Sequence, residues 1–139
     1  MKINRATDYG VRLMVYLAGC PEKVVSRAEA SRKLAIPAEF LAKIAQTLAR
    51  AGFIEIRQGR TGGYRLTKDP AKVTLLEVVE ALEGDLLLNV CVTRPEACQF
   101  STRCKVHLVW EAARKGLRDL LGSIYLTDLV LESENKTEK

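Results

Sequence analysis

The chain of 139 residues is long enough for one domain with a substantial core and too short for two large domains. Hydrophobic residues make up 47% and charged residues 28%, which excludes a disordered chain, and no apolar run approaches the roughly 18 residues that span a membrane. The opening Met1-Lys2-Ile3-Asn4-Arg5 lacks the apolar segment of a signal peptide, so we expect a cytoplasmic protein.

Charge is divided unevenly along the chain. Residues 1–73 carry 14 Lys/Arg against 6 Asp/Glu, a net charge of +8, whereas residues 74–139 carry 8 against 11, a net charge of −3. This division suggests a polyanion-binding part joined to a part with another role, although an uneven solvated surface would give the same counts.

The first half predicts three helices and a β-hairpin. Thr7-Asp8 is typical of the cap of an amphipathic helix, and Ser26-Arg27-Ala28-Glu29 has the form of a capping box that opens a short second helix. Pro37 suits the first turn of a third helix over about 38–50, and β-like runs at 53–57 and 64–67 flank a glycine-rich loop. This order is that of a winged helix-turn-helix, whose second helix enters the DNA major groove.

The second half predicts two further helices. Thr74-Leu75-Leu76-Glu77 is a capping box that opens a helix ending at Gly84, residues 85–102 have no clear periodicity, and a long helix follows over about 103–121. A short turn near 127–130 and a disordered tail at 132–139 complete the chain. The long helix carries an apolar stripe that predicts a partner helix, and hence a homodimer. The stripe comprises Val106, Val109, Trp110, Ala113, Leu117 and Leu120.

The predicted fold is therefore mainly α with a small β-hairpin. A winged helix-turn-helix domain at 1–73 is followed by a loop and dimerisation helix at 74–131. The chain has no nucleophile elbow and no phosphate-binding lysine loop, and it holds one histidine, so we expect neither an enzyme nor a small-molecule substrate.

Three of the four cysteines, Cys91, Cys98 and Cys104, fall within 14 residues, whereas Cys20 stands apart at a helix end. The paired knuckles of zinc sites are missing, and three thiolates on a loop that leads into a helix suit an iron–sulfur cluster. His107, one turn beyond Cys104, or Asp8, from a tertiary or subunit contact, could supply the fourth ligand. Each has a structural alternative, as a packing residue and a helix cap, and the cysteines themselves could be buried hydrophobes.

Two groups of residues are candidate DNA contacts, unless they form an ordinary solvated face. The exposed face of the third helix is expected to read base edges in the major groove. The end of that helix and the hairpin loop are expected to contact phosphates, with Gln58 placed for the minor groove. The base readers are Glu39, Ala42, Lys43 and Gln46, and the second group is Arg50, Arg57, Gln58, Arg60 and Thr61.

Several motifs in this order resemble the Rrf2 family of bacterial winged-helix regulators. They include Thr7-Asp8-Tyr9, Phe40-Leu41-Ala42-Lys43-Ile44, Gly59-Arg60-Thr61-Gly62-Gly63-Tyr64, Ala81-Leu82-Glu83-Gly84, the three clustered cysteines and Leu126-Thr127-Asp128-Leu129-Val130. The resemblance covers about residues 1–131. Two departures are a first cysteine gap of six residues where five is usual, and Gln58 where the family commonly has arginine.

The resemblance implies a homodimeric transcription factor, a repressor in some branches, whose affinity for a palindromic operator in double-stranded DNA depends on an iron–sulfur cluster. Cysteines matching Cys91, Cys98 and Cys104 are the shared ligands. Cys104-x2-His107 is similar to the cluster-assembly branch, which holds a [2Fe-2S] cluster, and Thr7-Asp8 to the nitric-oxide-sensing branch, whose [4Fe-4S] cluster takes an aspartate from the other subunit. Asp8 is our preferred fourth ligand and His107 the alternative.

We therefore predict a cytoplasmic, homodimeric regulator that senses redox state, nitric oxide or iron–sulfur supply. One alternative is a winged-helix regulator without a cluster that uses its cysteines as a thiol switch. Another is a small metal-binding interaction module that does not touch DNA, against which the basic first half argues.

Overall fold

The computed structural model of the chain describes residues 2–86, 94–100 and 102–131. In these ranges eight elements follow one another, with short 3₁₀ turns at Pro70–Lys72 and Pro95–Ala97. The predicted fold class, mainly α with one two-stranded hairpin, is confirmed. The elements are α1 (Arg5–Ala18), α2 (Arg27–Leu34), α3 (Ala38–Arg50), β1 (Ile54–Arg57), β2 (Gly63–Leu66), α4 (Leu75–Glu83), α5 (Lys105–Gly122) and α6 (Leu126–Leu129).

Helix α1 begins earlier than its sequence pattern predicts. The cap is Asn4, whose side chain accepts a hydrogen bond of 2.8 Å from the backbone N–H of Thr7. Thr7 itself is fully buried in the first turn, whereas Asp8 is exposed. The predicted cap at Thr7-Asp8 is therefore wrong by one turn, because asparagine caps a helix as well as serine or threonine does.

Helices α2 and α3 form the helix-turn-helix. The turn between them passes through Ala35, which has a left-handed conformation with φ 54°. Pro37, which the sequence predicts at the first helical position, is instead the cap of α3. Leu41, Ile44 and Leu48 face the core at helical spacing, which leaves the opposite face of α3 in solvent.

The wing is the antiparallel β1–β2 hairpin, in register with Ile54 opposite Leu66 and Arg57 opposite Gly63. Two glycines make its return possible. A Cβ at Gly62 would lie 2.2 Å from the Arg57 carbonyl oxygen, and one at Gly63 would lie 2.1 Å from that of Val25. Close approach of backbone is the usual reason for glycine at such points. It lets Val25 pair with Tyr64 through two hydrogen bonds of 2.8 Å, so the wing is fastened to the start of the helix-turn-helix.

Helix α4 begins with the predicted capping box, in which Thr74 and Glu77 bond reciprocally, and packs on α1 and α3. The long helix α5 packs on α4, and Arg118 of α5 bonds the Glu80 carboxylate. Beyond α5 the chain returns to the body, because Leu126 in α6 is fully buried. The predicted tail at 132–139 lies outside the described residues. No helix in the described ranges is long and apolar enough to cross a membrane.

Candidate nucleic-acid interface and metal ligands

A groove of about 420 Å³ lies between the start of α2, the exposed face of α3 and the inner side of the wing. Three arginines and two glutamines are among its lining residues. The lining residues are Ser26, Arg27, Ala28, Ala42, Gln46, Ile56, Arg57, Gln58, Gly59, Arg60, Gly62, Gly63 and Tyr64.

The groove brings together five of the nine predicted DNA contacts. Ala42 and Gln46 lie on its α3 wall, and Arg57, Gln58 and Arg60 on its wing wall. The other four are exposed or half-exposed outside the lining. Glu39 and Lys43 lie on α3, Thr61 at the wing tip, and Arg50 at the end of α3, where its Nε donates to the Gln46 carbonyl.

The start of α2 forms the third wall of the groove, although none of its residues is among the nine predicted DNA contacts. Ser26 is the helix cap and accepts a 3.1 Å hydrogen bond from the Glu29 backbone N–H, and Arg27 follows it. The start of a helix carries free N–H groups and a partial positive charge that favour an anion. The Ser26–Glu29 capping box predicts the start of α2, so it was also the sequence signal for this wall of the groove.

The capping box at Ser26 is only half formed. The Glu29 carboxylate accepts hydrogen bonds from the Tyr16 hydroxyl (3.0 Å) and the Lys23 ammonium (3.0 Å). The bond from Lys23 is the main cause that holds the pKa of Glu29 below its usual value. The bond from Tyr16 therefore links α2 to α1.

Tyr64 is nearly buried between the wing and the helix-turn-helix, and burial raises the pKa of its phenol. A phenol in this position stays neutral over the physiological range. Tyr64 lies opposite Ile56 in the hairpin and lines the groove together with Arg57 and Gln58.

The predicted metal ligands fall in two places. Cys104 is the cap residue of α5, and Cys98 follows the 3₁₀ turn at Pro95–Ala97; both are free thiols and half-buried. Asp8 is exposed in the first turn of α1. Cys91 lies outside the described residues, and in the ranges that are described no three Cys, His, Asp or Glu side chains converge on one point.

His107 is the one residue of α5 that is buried, at 7% exposure. Its Nε2 lies 3.0 Å from a carboxylate oxygen of Glu111, one turn further along the helix. The ring is buried one turn beyond Cys104, a position that suits both a packing residue and a metal ligand. Both interpretations of His107 therefore stay predictions.

Comparison with known proteins identifies the family of a chain with this fold and these side chains. The family model described as Rrf2, an iron-dependent transcriptional regulator, matches residues 3–132. The chain belongs to the Rrf2 family. The resemblance deduced from the motifs is confirmed, and with it the prediction of a transcription regulator and not an enzyme.

Named members of the Rrf2 family resemble this chain over nearly its whole length. The transcriptional regulator NsrR of Shouchella clausii is 32% identical over 137 residues, which cover 97% of this chain and 92% of that protein. The IscR of T. potens is 27% identical with a TM-score of 0.70, covering 93% and 85% of the two chains. CymR, the global cysteine regulator of B. subtilis, shares the fold with a TM-score of 0.75 at 24% identity, covering 93% and 95%.

Proposed function

We propose that this Rrf2 protein is a homodimeric transcriptional regulator whose operator binding is controlled by an iron–sulfur cluster that senses redox state, nitric oxide or iron–sulfur supply. DNA binding through the winged helix follows from the family. The observation that carries the finer proposal is that two free, half-buried thiols lie at and just before the start of α5. A regulator of this kind acts on chromosomal DNA in the cytoplasm.

The groove supports the DNA-binding part of the proposal. Ala42 and Gln46 line the groove from α3, and the other two walls, the start of α2 and the wing, carry Arg27, Arg57 and Arg60. A glutamine can bond adenine through two hydrogen bonds and an alanine methyl can contact thymine, whereas arginines position the protein on phosphates. We assign base reading to Glu39, Ala42, Lys43 and Gln46, and backbone contacts mainly to Arg50, Arg57, Arg60 and Thr61. Gln58 is assigned to the minor groove.

The apolar face of α5 supports a homodimer. Val106, Val109 and Leu120 are 53 to 60% exposed, and Trp110 is 37% exposed. A helix that packs on the body along one side and presents such a stripe on another gains stability by burying it against a second copy. A two-fold dimer would present its two α3 helices to half-sites one DNA turn, about 34 Å, apart or a multiple of it.

The donor set fits an iron–sulfur cluster in its chemistry. Thiolates are the ligands that iron–sulfur clusters prefer, and Cys98 and Cys104 have the polar neighbours that a charged thiolate needs, in Gln99, Arg103 and Lys105. We assign Cys91, Cys98 and Cys104 as ligands of a [2Fe-2S] or [4Fe-4S] cluster, with Asp8 of the partner subunit as preferred fourth ligand and His107 as alternative. Such a cluster, when bound, supplies reactivity toward oxidants and nitric oxide.

The contacts of Asp8 suggest how a change in the cluster would affect the DNA-binding face. Its carboxylate accepts a 2.9 Å hydrogen bond from Arg12, whose guanidinium stacks over the Tyr9 ring at 5.3 Å and also donates to the Leu34 carbonyl at the helix-turn-helix turn. Tyr9 in turn meets Phe40 edge to face, with ring centroids 6.2 Å apart.

Phe40 lies in the first turn of α3, between the assigned base reader Glu39 and the core residue Leu41. A change in the partner of Asp8 would therefore alter a chain of contacts that ends at α3, the helix assigned to base reading. Loss of the carboxylate from Arg12 would free the guanidinium to move relative to both Tyr9 and the turn at Leu34. A fourth ligand from His107 would order the cysteine segment and α5, so its coupling to DNA binding would be less direct.

The test is purification without oxygen. Wild-type protein is expected to be coloured, with visible absorption of an iron–sulfur cluster and countable iron and sulfide per chain. Cys91→Ala, Cys98→Ala and Cys104→Ala should each lose the cluster, and the matched control Cys20→Ala should keep it, because Cys20 bonds the Tyr16 carbonyl at the end of α1. A full cluster in any of the three variants, or a colourless wild type, would overturn the cluster proposal. DNA affinity that is equal with and without the cluster would overturn its control of binding.

A further inference from the structure

The solvent face of the wing carries one acidic and two basic side chains. Successive residues of a strand point to opposite faces, so Glu55 and Arg57 share a face, and the register places Arg65 directly opposite Glu55. Ile54, Ile56, Tyr64 and Leu66 occupy the other face and pack inward. The wing therefore holds a carboxylate between two guanidinium groups.

Both arginines form an ion pair with the same carboxylate oxygen, and Arg57 also donates its Nε–H to it. Arg57 Nε lies 3.0 Å from Glu55 Oε1, and Arg65 Nε lies 3.3 Å from it. The side chains of the Arg57–Glu55 pair are 50% and 38% exposed. Exposed ion pairs of this kind are weak and exchange readily with other partners.

Arg57 also lines the groove, whereas Glu55 and Arg65 are not among its lining residues. Its guanidinium thus has two possible anionic partners, the Glu55 carboxylate on the solvent face of the wing and a DNA phosphate at the groove. A guanidinium whose Nε–H is bonded to a carboxylate has fewer donors for phosphate.

We propose that Glu55 is an intramolecular competitor of DNA: it withholds Arg57 from the phosphate backbone and so lowers the affinity of the wing for DNA of any sequence. Phosphate contacts dominate sequence-independent affinity, so one withheld arginine reduces the number of counterions released on binding by about one. The inference rests on DNA binding through the groove and is independent of the cluster and of the dimer.

The experiment compares wild type, Glu55→Gln, Arg57→Gln and the double variant on a fluorescent random-sequence duplex of about 30 base pairs, long enough to span more than one helical turn. Glu55→Gln should bind about three- to tenfold more tightly near 0.1 M salt. The plot of log affinity against log salt should steepen by about 0.9, the value of one more phosphate contact. In the Arg57→Gln background, Glu55→Gln should change affinity less than twofold.

Glu22→Gln makes the same change in net charge in the turn after α1 and should leave affinity within about twofold of wild type, because nonspecific charge effects are screened by salt. The proposal is overturned if Glu55→Gln binds equally or more weakly, or if it tightens the Arg57→Gln protein as much as the wild type. Glu55→Thr, which keeps a good strand former, repeats the test if the glutamine variant melts abnormally by circular dichroism. Failure of all variants, wild type included, to bind the duplex at low salt would contradict DNA binding itself.

Discussion

Thr7 and Glu83, 76 positions apart in sequence, share a hydrogen bond of 2.6 Å between the threonine hydroxyl and a carboxylate oxygen. The same oxygen accepts a bond of 3.3 Å from the Asn4 backbone N–H. Thr7 is fully buried and Glu83 is the last residue of α4, so the pair fastens the start of α1 to the end of α4. Asp8, the assigned ligand, is the next residue of α1, and the segment of clustered cysteines follows α4.

The hydrogen bond between Thr7 and Glu83 predicts that the Thr7 hydroxyl contributes to the stability of the fold. Thr7→Val keeps the shape of the side chain and removes the hydroxyl, which leaves the Glu83 carboxylate without a partner it has in the folded protein. We expect a loss of about 1–3 kcal/mol in the free energy of unfolding, measured by urea denaturation. Thr47→Val is the control: its hydroxyl bonds a carbonyl within α3, and a change of less than about 0.5 kcal/mol is expected there. Equal stability of Thr7→Val and wild type would show that the bond does not contribute.

The depressed pKa of Glu29 predicts a pH dependence of stability. Because the folded-state pKa lies below the ordinary value of 4.5, the stabilisation is present above pH 4.5 and is lost as pH falls through the folded pKa. Melting temperatures of wild type and Glu29→Gln should therefore converge as the pH is lowered below about 4.5. Lys23→Met should reproduce much of this effect, since the hydrogen bond from Lys23 is the largest cause of the shift. A melting difference that stays constant from pH 7 to pH 3 would contradict the assignment.

Base reading and backbone contact should separate in mutants of the groove. Gln46→Ala should relax preference at one base position of the operator and cost roughly 1–3 kcal/mol on the preferred sequence. Arg60→Ala should weaken binding uniformly across sequences and reduce the salt slope by about 1. A panel of single-base operator variants titrated by fluorescence anisotropy distinguishes the two. If Gln46→Ala weakens specific and random DNA equally, its role as a base reader is wrong.

The stripe on α5 predicts that a charge within it will separate the dimer. Val109→Glu places a carboxylate at a residue that is 60% exposed in the single chain, where it would be buried without a partner in a dimer. Sedimentation at micromolar concentration should show a dimer for wild type and a monomer for the variant. Lys115→Glu, on the opposite side of α5 where Lys115 pairs with Asp119, should remain a dimer. A monomeric wild type that binds a palindromic operator would exclude the proposed interface.

The two candidate fourth ligands are distinguished by paired variants. Asp8→Ala should reduce cluster content or stability and abolish the difference in DNA affinity between protein with and without the cluster, because the contact chain through Arg12 starts at that carboxylate. His107→Ala should retain the cluster and the difference in affinity. Iron content, visible absorption and anisotropy titrations measure both properties. A cluster retained in Asp8→Ala with unchanged coupling would reject the aspartate and leave His107.

The sequence by itself determined the local elements and the family. Capping residues, helical spacing of apolar side chains and turn glycines such as Gly62 act through hydrogen bonds or contacts within a few residues, so they can be recognised in the sequence. They were sufficient to predict the order of three helices and a hairpin, and to place Thr74-Leu75-Leu76-Glu77 as a helix start. They did not identify Asn4 as the cap of α1, because Thr7-Asp8 offers a similar capping pattern one turn later, next to the apolar residues.

Only the tertiary structure decided which distant side chains meet. Glu29 fits a capping box by its spacing, yet its carboxylate turns to Tyr16 and Lys23, because packing of α2 on α1 brings these stronger partners within reach. Thr7 looks like a cap and is instead a buried donor to Glu83, and the start of α2 becomes a wall of the groove because Val25 pairs with the wing. A side chain's partner in another element depends on how whole helices and strands pack, and that information is not contained in any short stretch of sequence.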